Sequence, residues 1–321
     1  MELPAALRQA IERTLEGMPL DALKRDAQVL SDRYRGEVRD GRLHMGDERA
    51  VRAYLAARLP ATYAAVHASL DALAAARPSF SPCSLIDVGA GPGTVLWAVH
   101  SLWPALVNAT LIEASAPVRE AGAALAAELA GPRIDWIAGD AANAGVELAP
   151  ADLVSAAYLL DELAPAAIAA LVERLWTLTA DTLLVVEPGT PAGWRRVIEV
   201  RNRLIGLGAH IVAPCPHRAP CPLAPPDWCH FAQRVARSRL HRQVKGADVP
   251  WEDEKYIFVA ASRLPAEQVA PRVLASPRTG SGKVELKLCE ASGQAVNRLF
   301  TKRDGDRFRQ ARRVDWGDTL G

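Results

Sequence analysis

The chain has no apolar run near the roughly 20 residues that cross a bilayer, so a helical membrane anchor is not expected. Its first residues, MELPAALRQAIERTLEGMP, lack the apolar core of a signal peptide. Glu2, Glu12 and Glu16 do not suit an acid-poor transit peptide. The expected compartment is the cytoplasm. Cysteine is scarce, with five in 321 residues. Disulfides are unusual in that compartment, so clustering among the five points to metal or redox chemistry. Internal repeats are absent, which excludes a repeat array. What remains is a chain of 50% hydrophobic and 23% charged residues, a globular composition long enough for more than one domain.

The formal net charge of +1 conceals an asymmetry. Residues 1–194 hold 15 Lys/Arg against 24 Asp/Glu, and residues 195–321 hold 23 against 13. A basic half suits a polyanionic partner, nucleic acid first, with an ordinary solvated surface as the alternative.

Four regions follow from the patterning. Residues 1–78 read as helical: VRAYLAARLPATYAAVHASLDALAAA is Ala/Leu-rich at helical spacing, and Pro60 should kink or divide it. After a linker at RPSFSPC, residues 79–190 alternate short apolar runs (SLIDVGAG, ATLIEAS, RIDWIAGD, ADLVSAAYLL, TLLVVEPG) with helical segments. Strands alternating with helices make a parallel α/β sheet. Residues 191–262 form a basic, cysteine-bearing insertion that ends in a returning strand, KYIFVAASR. Residues 263–321 read as a small antiparallel β unit. Its TGSGKV resembles part of a phosphate loop, but Pro277 stands where a Gly is required and Val284 where Ser or Thr is required, so a hairpin turn is expected.

The loop LIDVGAGPGT places Asp87, Gly89, Gly91 and Gly93 at the end of the first strand. Glycines there let the backbone turn tightly and approach a ligand, and the next helix offers unpaired N–H groups. The spacing G-x-G-x-G does not fit the dinucleotide fingerprint. It resembles motif I of class I S-adenosylmethionine-dependent methyltransferases. That resemblance implies a Rossmann-like sheet, a ribose-binding acid at Glu113 and an adenine-side acid at Asp140. A strand–helix turn without a ligand is the alternative. Where amino- and amide-nitrogen methyltransferases often carry an Asn-Pro-Pro-Tyr-like motif, this chain has SAAYLLDEL. Tyr158, Asp161 and Glu162 are polar candidates there, although the two acids suit a helix cap or solvent equally well. No catalytic cysteine is evident, Cys83 reading as a small core residue. The catalytic residues, and whether methyl transfer occurs, stay open.

Three of the five cysteines lie in CPHRAPCPLAPPDWCHF: Cys215, Cys221 and Cys229, with Cys289 downstream. Four thiolates can enclose a 4Fe–4S cluster or a tetrahedral zinc. Prolines at 216, 220, 222, 225 and 226 forbid helix over most of the loop and stiffen it. The C-x2-C knuckles common in zinc sites are absent, and so is the C-x3-C-x2-C motif of radical enzymes. Spacing alone leaves iron–sulfur and zinc open, with His217 and His230 able to replace a thiolate, and metal-free buried thiols as a third reading.

The stretches CPHRAPCPL, DWCHFAQRVARSRLHRQVKG and WEDEKYIFV, with ARLPATYAA upstream and ARRVDWGD at the end, resemble the methyltransferase-like small-ribosomal-subunit assembly family. This family has mitochondrial and bacterial members, and the resemblance covers nearly the whole chain. It implies a class I methyltransferase fold, a 4Fe–4S cluster on Cys215, Cys221, Cys229 and Cys289, and binding to the small ribosomal subunit or its rRNA. Neither DNA nor a membrane is expected as a partner. Arg234, Arg237, Arg239, Arg242 and Lys245 would form a phosphate-neutralising stripe over about 200° of one helix. Lys302, Arg303, Arg312 and Arg313, with Arg298, Arg307 and Arg309, add a second patch. Phe300 and Phe308 suit a β-unit core better than base stacking. Glu252, Asp253 and Glu254 are expected either to pair with nearby arginines or to stay clear of RNA. The leading expectation is an RNA-binding methyltransferase-fold protein with a cluster that staples loop to β unit. An active rRNA methyltransferase, or a binding module with a vestigial pocket and structural zinc, are the alternatives.

Overall fold

The computed structural model describes residues 1–36, 40, 42–139 and 147–321. Helices α1 (Ala5–Leu15), α2 (Leu20–Arg35), α3 (Glu48–Ala57) and α4 (Leu59–Ala76) open the chain. Asp47 caps α3 by accepting the Ala50 N–H at 2.9 Å, supplying the acceptor that an N–H in the first turn of a helix otherwise lacks. The long Ala/Leu stretch is divided rather than continuous. Its break falls at Arg58, and Pro60 sits in the first turn of α4, where a missing N–H costs nothing. α4 is apolar on nearly every face because it is buried on nearly every face, between α5 and the sheet. Leu59, Leu70 and Leu73 are fully buried on it, each worth about 1.5–3 kcal/mol.

The central sheet contains β1 (Ser84–Val88), β2 (Asn108–Glu113), β3 (Arg133–Ala138), β4 (Ala151–Ala157), β5 (Thr179–Pro188), β6 (His210–Ala213), β7 (Phe231–Ala236) and β8 (Trp251–Ser262). Its order is β3-β2-β1-β4-β5-β8-β6, with β7 also paired to β8. The first five strands are parallel, and β8 runs antiparallel to β5. Parallel strands require crossovers, supplied by α5 (Thr94–Leu102), α6 (Ala116–Ala126) and α7 (Pro165–Thr177). This order, with its reversed strand beside β5, is the class I methyltransferase sheet. At the end of α4, Arg77 clamps the sheet by donating to Ser262 at 2.7 Å, to Thr182 at 3.2 Å and to Asp181.

The basic segment after residue 190 contributes more to the sheet than its composition suggests. α8 (Pro191–Gly206) packs on β5 and β8, and β6 pairs with β8. The cysteine loop therefore starts only after Ala213, directly from a sheet strand. α9 (Arg239–Lys245) lies between β7 and β8.

The C-terminal unit is a four-stranded antiparallel sheet of β9 (Arg272–Val273), β10 (Arg278–Gly280), β11 (Lys283–Cys289) and β12 (Ala295–Thr301), followed by α10 (Asp306–Ala311). β11 alternates strictly: Val284, Leu286 and Leu288 face inward and join Val273, Phe300, Phe308 and Ala311 in a separate small core. Both phenylalanines are thus core residues. TGSGKV forms the β10–β11 hairpin, with Gly282 at φ +71° in its turn. Among the described residues no helix is long and apolar enough to cross a membrane.

Candidate functional site

The glycine loop turns β1 into α5, and all three of its glycines take positive φ: +69° at Gly89, +53° at Gly91 and +80° at Gly93. At Gly89 a Cβ would stand 2.8 Å from Leu159 Cδ1, so only glycine fits without displacement. The N–H groups of Gly89 and Ala90 both donate to the Ile112 carbonyl, which draws the loop over β2. Glu113 ends β2, and its carboxylate accepts the Gly91 N–H at 3.0 Å and the Ser115 N–H at 2.8 Å. Burial raises the Glu113 pKa, and these N–H donors oppose the rise.

Gly89, Gly91 and Glu113 line a cleft of about 830 Å³. Asp87 and Gly93 do not line it. Asp87 is fully buried beneath the loop, where Ser155 Oγ donates to it at 2.7 Å, and burial pushes its pKa up to about 7. Gly93 forms the left-handed cap of α5. Both hold the loop's shape rather than the cleft wall. Asp140 lies outside the described residues.

Across the cleft stands the segment after β4. Tyr158 is the one non-glycine residue with positive φ among those described, +56°. Such a conformation is held only where the surroundings determine it. Here the Tyr158 N–H donates to the Val186 carbonyl and its hydroxyl donates to Glu254 at 3.1 Å. Arg58 approaches the same carboxylate at 3.6 Å. Next along the chain, Asp161 and Glu162 share the wall. Burial, then Asp161, Glu113 and Glu187, push Glu162 up to about 8. Glu187 is buried under them, accepting the Leu160 N–H at 3.0 Å and Arg196 Nε at 2.8 Å. Crowding of these acids, on top of burial, holds Glu162 and Glu187 back from ionising.

Sequence reasoning did not foresee the other wall. Tyr34, His44, Met45, Tyr54 and Arg58 reach the cleft from the helical region. The Tyr34 and His44 rings stack with centroids 4.8 Å apart, and the Met45 carbonyl accepts Ser115 Oγ at 2.7 Å. These residues follow no motif spacing, and the packing of α2 and α3 on each other and on α4, α6 and α9 brings them there.

The cysteines form a second site. Cys215, Cys221, Cys229 and Cys289 all line one small enclosed cavity, together with His217 and Arg201. Cys215 follows β6, Cys229 precedes β7, and Cys289 arrives as the last residue of β11. Burial raises the pKa of Cys229 well above the usual thiol value, and Cys215, Cys221 and Cys289 raise it further. Burial, then Cys215 and Cys221, push Cys289 up to about 12. His217 Nε2 lies 3.3 Å from Cys289 Sγ, and its other ring nitrogen meets the Ala219 carbonyl. His230 instead stacks on Trp228 and meets Trp316 edge-on. Among the described residues no three His, Cys, Asp or Glu side chains close around the position of a single ion. Cys83 is exposed, not a core residue.

The basic stripe is not one helix face. Arg234 is on β7, Arg237 follows it, and only Arg239, Arg242 and Lys245 lie on α9. Pairing of β7 with β8 sets Val235 opposite Glu252, which holds Arg237 at 2.8 Å, Lys245 at 2.7 Å and His241 at 3.3 Å. Burial alone would raise the Glu252 pKa, but these three partners draw it well below the usual range. Arg234 is paired bidentately with Asp253 and lies 4.0 Å from the Trp251 ring centroid. Arg239 and Arg242 remain exposed, as do Lys302, Arg303, Arg312 and Arg313.

The profile of the family described as "Mitochondrial small ribosomal subunit Rsm22" matches residues 48–321. The human "Ribosome assembly protein METTL17, mitochondrial" is 30% identical over 288 residues, covering 83% of this chain and 61% of the human protein. The Schizosaccharomyces pombe "Rsm22-cox11 tandem protein 2, mitochondrial" is 25% identical over 190 residues, covering 45% of this chain and 25% of the yeast protein. The chain thus spans about three-fifths of the human relative and a quarter of the yeast one. Among solved structures, magnesium protoporphyrin IX methyltransferase from Synechocystis PCC 6803 with bound S-adenosylmethionine is 13% identical with a TM-score of 0.43, covering 80% of this chain and 97% of that one. The plantazolicin methyltransferase BpumL is likewise 13% identical with a TM-score of 0.43, covering 76% of this chain and 98% of the other.

Proposed function

Because the chain belongs to the mitochondrial small ribosomal subunit Rsm22 family, we propose that it is an RNA-binding assembly factor of the small ribosomal subunit that holds a 4Fe–4S cluster. The convergence of Cys215, Cys221, Cys229 and Cys289 on one cavity carries the reading. The four thiols line a common space, and four thiolates suit a 4Fe–4S cluster, with zinc as the alternative. Bound there, a cluster would supply a covalent tie between the 215–229 loop and β11. It would fix α9 and its exposed arginines relative to the C-terminal unit. With four thiolate ligands it leaves no open iron position, so its role is structural or redox-sensing.

The cleft fits S-adenosylmethionine. Gly89 and Gly91 give close backbone approach, Glu113 offers a carboxylate at the end of β2, and the surplus of acids around Glu162 suits a sulfonium cation. The cofactor supplies an electrophilic methyl group. Tyr158, Glu254 and Arg58 are tied to one another across from the loop and would shape the space beside that group. The cofactor side of the cleft is better supported than the transfer reaction, so we place binding ahead of catalysis. The cytoplasm is the proposed compartment.

Anaerobic purification followed by iron, sulfide and zinc analysis tests the cluster. Four iron atoms per chain with broad absorption near about 400 nm are expected. A colourless protein with one zinc refutes the iron assignment. Tritiated methyl transfer from S-adenosylmethionine to small-subunit particles tests catalysis. Label that disappears in Gly91→Arg would make the protein an active rRNA methyltransferase.

A further inference from the structure

Among the described residues four arginines are buried: Arg77, Arg196, Arg201 and Arg272. Arg77 pairs with Asp181, and Arg196 pairs with Glu187. A buried guanidinium needs such a counter-anion, because removing a cation from water costs several kcal/mol. Arg201 and Arg272 have none within ion-pair distance among the described residues. Backbone carbonyls, the Asn202 amide and Cys215 stand around Arg201; backbone carbonyls, Cys215, Cys229, Tyr256 and, beyond ion-pair distance, Asp318 stand around Arg272.

Arg201 is 1% exposed on α8 and donates to the carbonyls of His217 at 2.9 Å and Ala219 at 2.8 Å. Its charge also favours the thiolate form of Cys215, against the burial that raises that thiol's pKa. Arg272 is 8% exposed and pairs with Cys289 across β9 and β11. It donates to the carbonyls of Pro214 at 3.2 Å and Gly317 at 2.8 Å. Arg201 thus lines the thiol cavity from the sheet helix, and Arg272 stands beside it in the C-terminal unit, in register with Cys289 and lining a neighbouring pocket with Cys215. Burial draws the Arg272 pKa down, and Cys215, Tyr256 and Cys229 oppose that. Asp318 acts on it only at longer range.

We infer that Arg201 and Arg272 are a built-in pair of countercharges for a dianionic, four-thiolate metal site. The inference rests on the cluster reading above and extends it to residues that touch no metal. Four thiolates around a doubly positive 4Fe–4S core carry two negative charges, and two guanidinium groups balance them. Replacing one thiolate by neutral His217 would leave one arginine without a counter-anion, so the charge count selects Cys289 as the fourth ligand. The arginines are positioning residues. They lower the cost of burying the anionic site and tie its loop down by hydrogen bonds to the backbone.

The test compares Arg272→Gln, which keeps a donor and loses the charge, with Arg272→Lys, which keeps the charge. Arg201→Gln and Arg201→Lys repeat the contrast at an independent position, so loss of folding in one variant does not hide the answer. Each full-length protein is purified anaerobically, its metal is counted, and metal release to a chelator is timed. The Gln variants should release metal about 10–100-fold faster than wild type, and the Lys variants within about threefold of it. In the Gln variants reduction of the cluster should also become harder by about tenfold in its equilibrium, about 59 mV for one electron. Gln variants that match wild type in both measurements, or Lys variants as defective as Gln, overturn the pairing while a loaded wild type leaves the cluster reading standing. A wild-type chain with neither iron nor zinc overturns both.

Discussion

Glu162 should make cofactor binding depend on pH. Its carboxyl is pushed up to about 8 by burial and by Asp161, Glu113 and Glu187, against an ordinary 4.5. At pH 7 about a tenth of it is ionised, and at pH 9 about nine-tenths. A sulfonium in the cleft favours the ionised form, so binding must release a proton wherever the free group is still protonated. If only the ionised form binds well, affinity for S-adenosylmethionine rises about tenfold from pH 7 to pH 9. For the empty protein the sign is opposite. A raised carboxylate pKa contributes stability that is full below the unfolded value near 4.5 and is lost as pH climbs through about 8. The ligand therefore stabilises the fold most at high pH. Isothermal titration calorimetry in two buffers of different ionisation heat, on wild type and Glu162→Gln, measures both affinity and protons released. The ligand's own ammonium titrates identically for both proteins, so the difference between them isolates Glu162. Equal pH profiles for the two, or no extra proton released by wild type at pH 7, would refute the reasoning.

Arg239→Ala with Arg242→Ala should weaken binding to rRNA and reduce the slope of log affinity against log salt by about two, with thermal stability unchanged. An unchanged slope in a filter-binding titration over several salt concentrations would remove α9 from the RNA surface. Phe300→Ala should destabilise the C-terminal unit by about 3–5 kcal/mol, because Phe300 is 5% exposed in a core of seven buried residues. Denaturant unfolding measures it. Faster metal loss should accompany the change, since β11 carries Cys289.

Much of this architecture is legible in the linear pattern because it depends on local chemistry. The glycine loop needs positive φ at three positions, and only glycine supplies it at Gly89 without collision. The parallel strands announce themselves as apolar runs between helical stretches, and β11 alternates so regularly that its inward face can be read directly. Pro60 marks the helix break. The basic stripe misled for a reason of the same kind. Arg234 and Arg237 are near α9 in sequence, but β7 pairs with β8 and brings acids beside them that lie 15 or more residues away.

The sequence alone determined the class of sheet, the glycine loop after the first strand and the unusual density of thiols between residues 215 and 229, since each follows from residue types at short spacing. Tertiary structure decided which charges are free, which residues of α2 and α3 close the cleft, and that Cys289 and two uncompensated arginines meet the cysteine loop. Those outcomes depend on pairing between segments tens of residues apart. There, burial sets the energy of a charge, and no local pattern encodes which partner arrives.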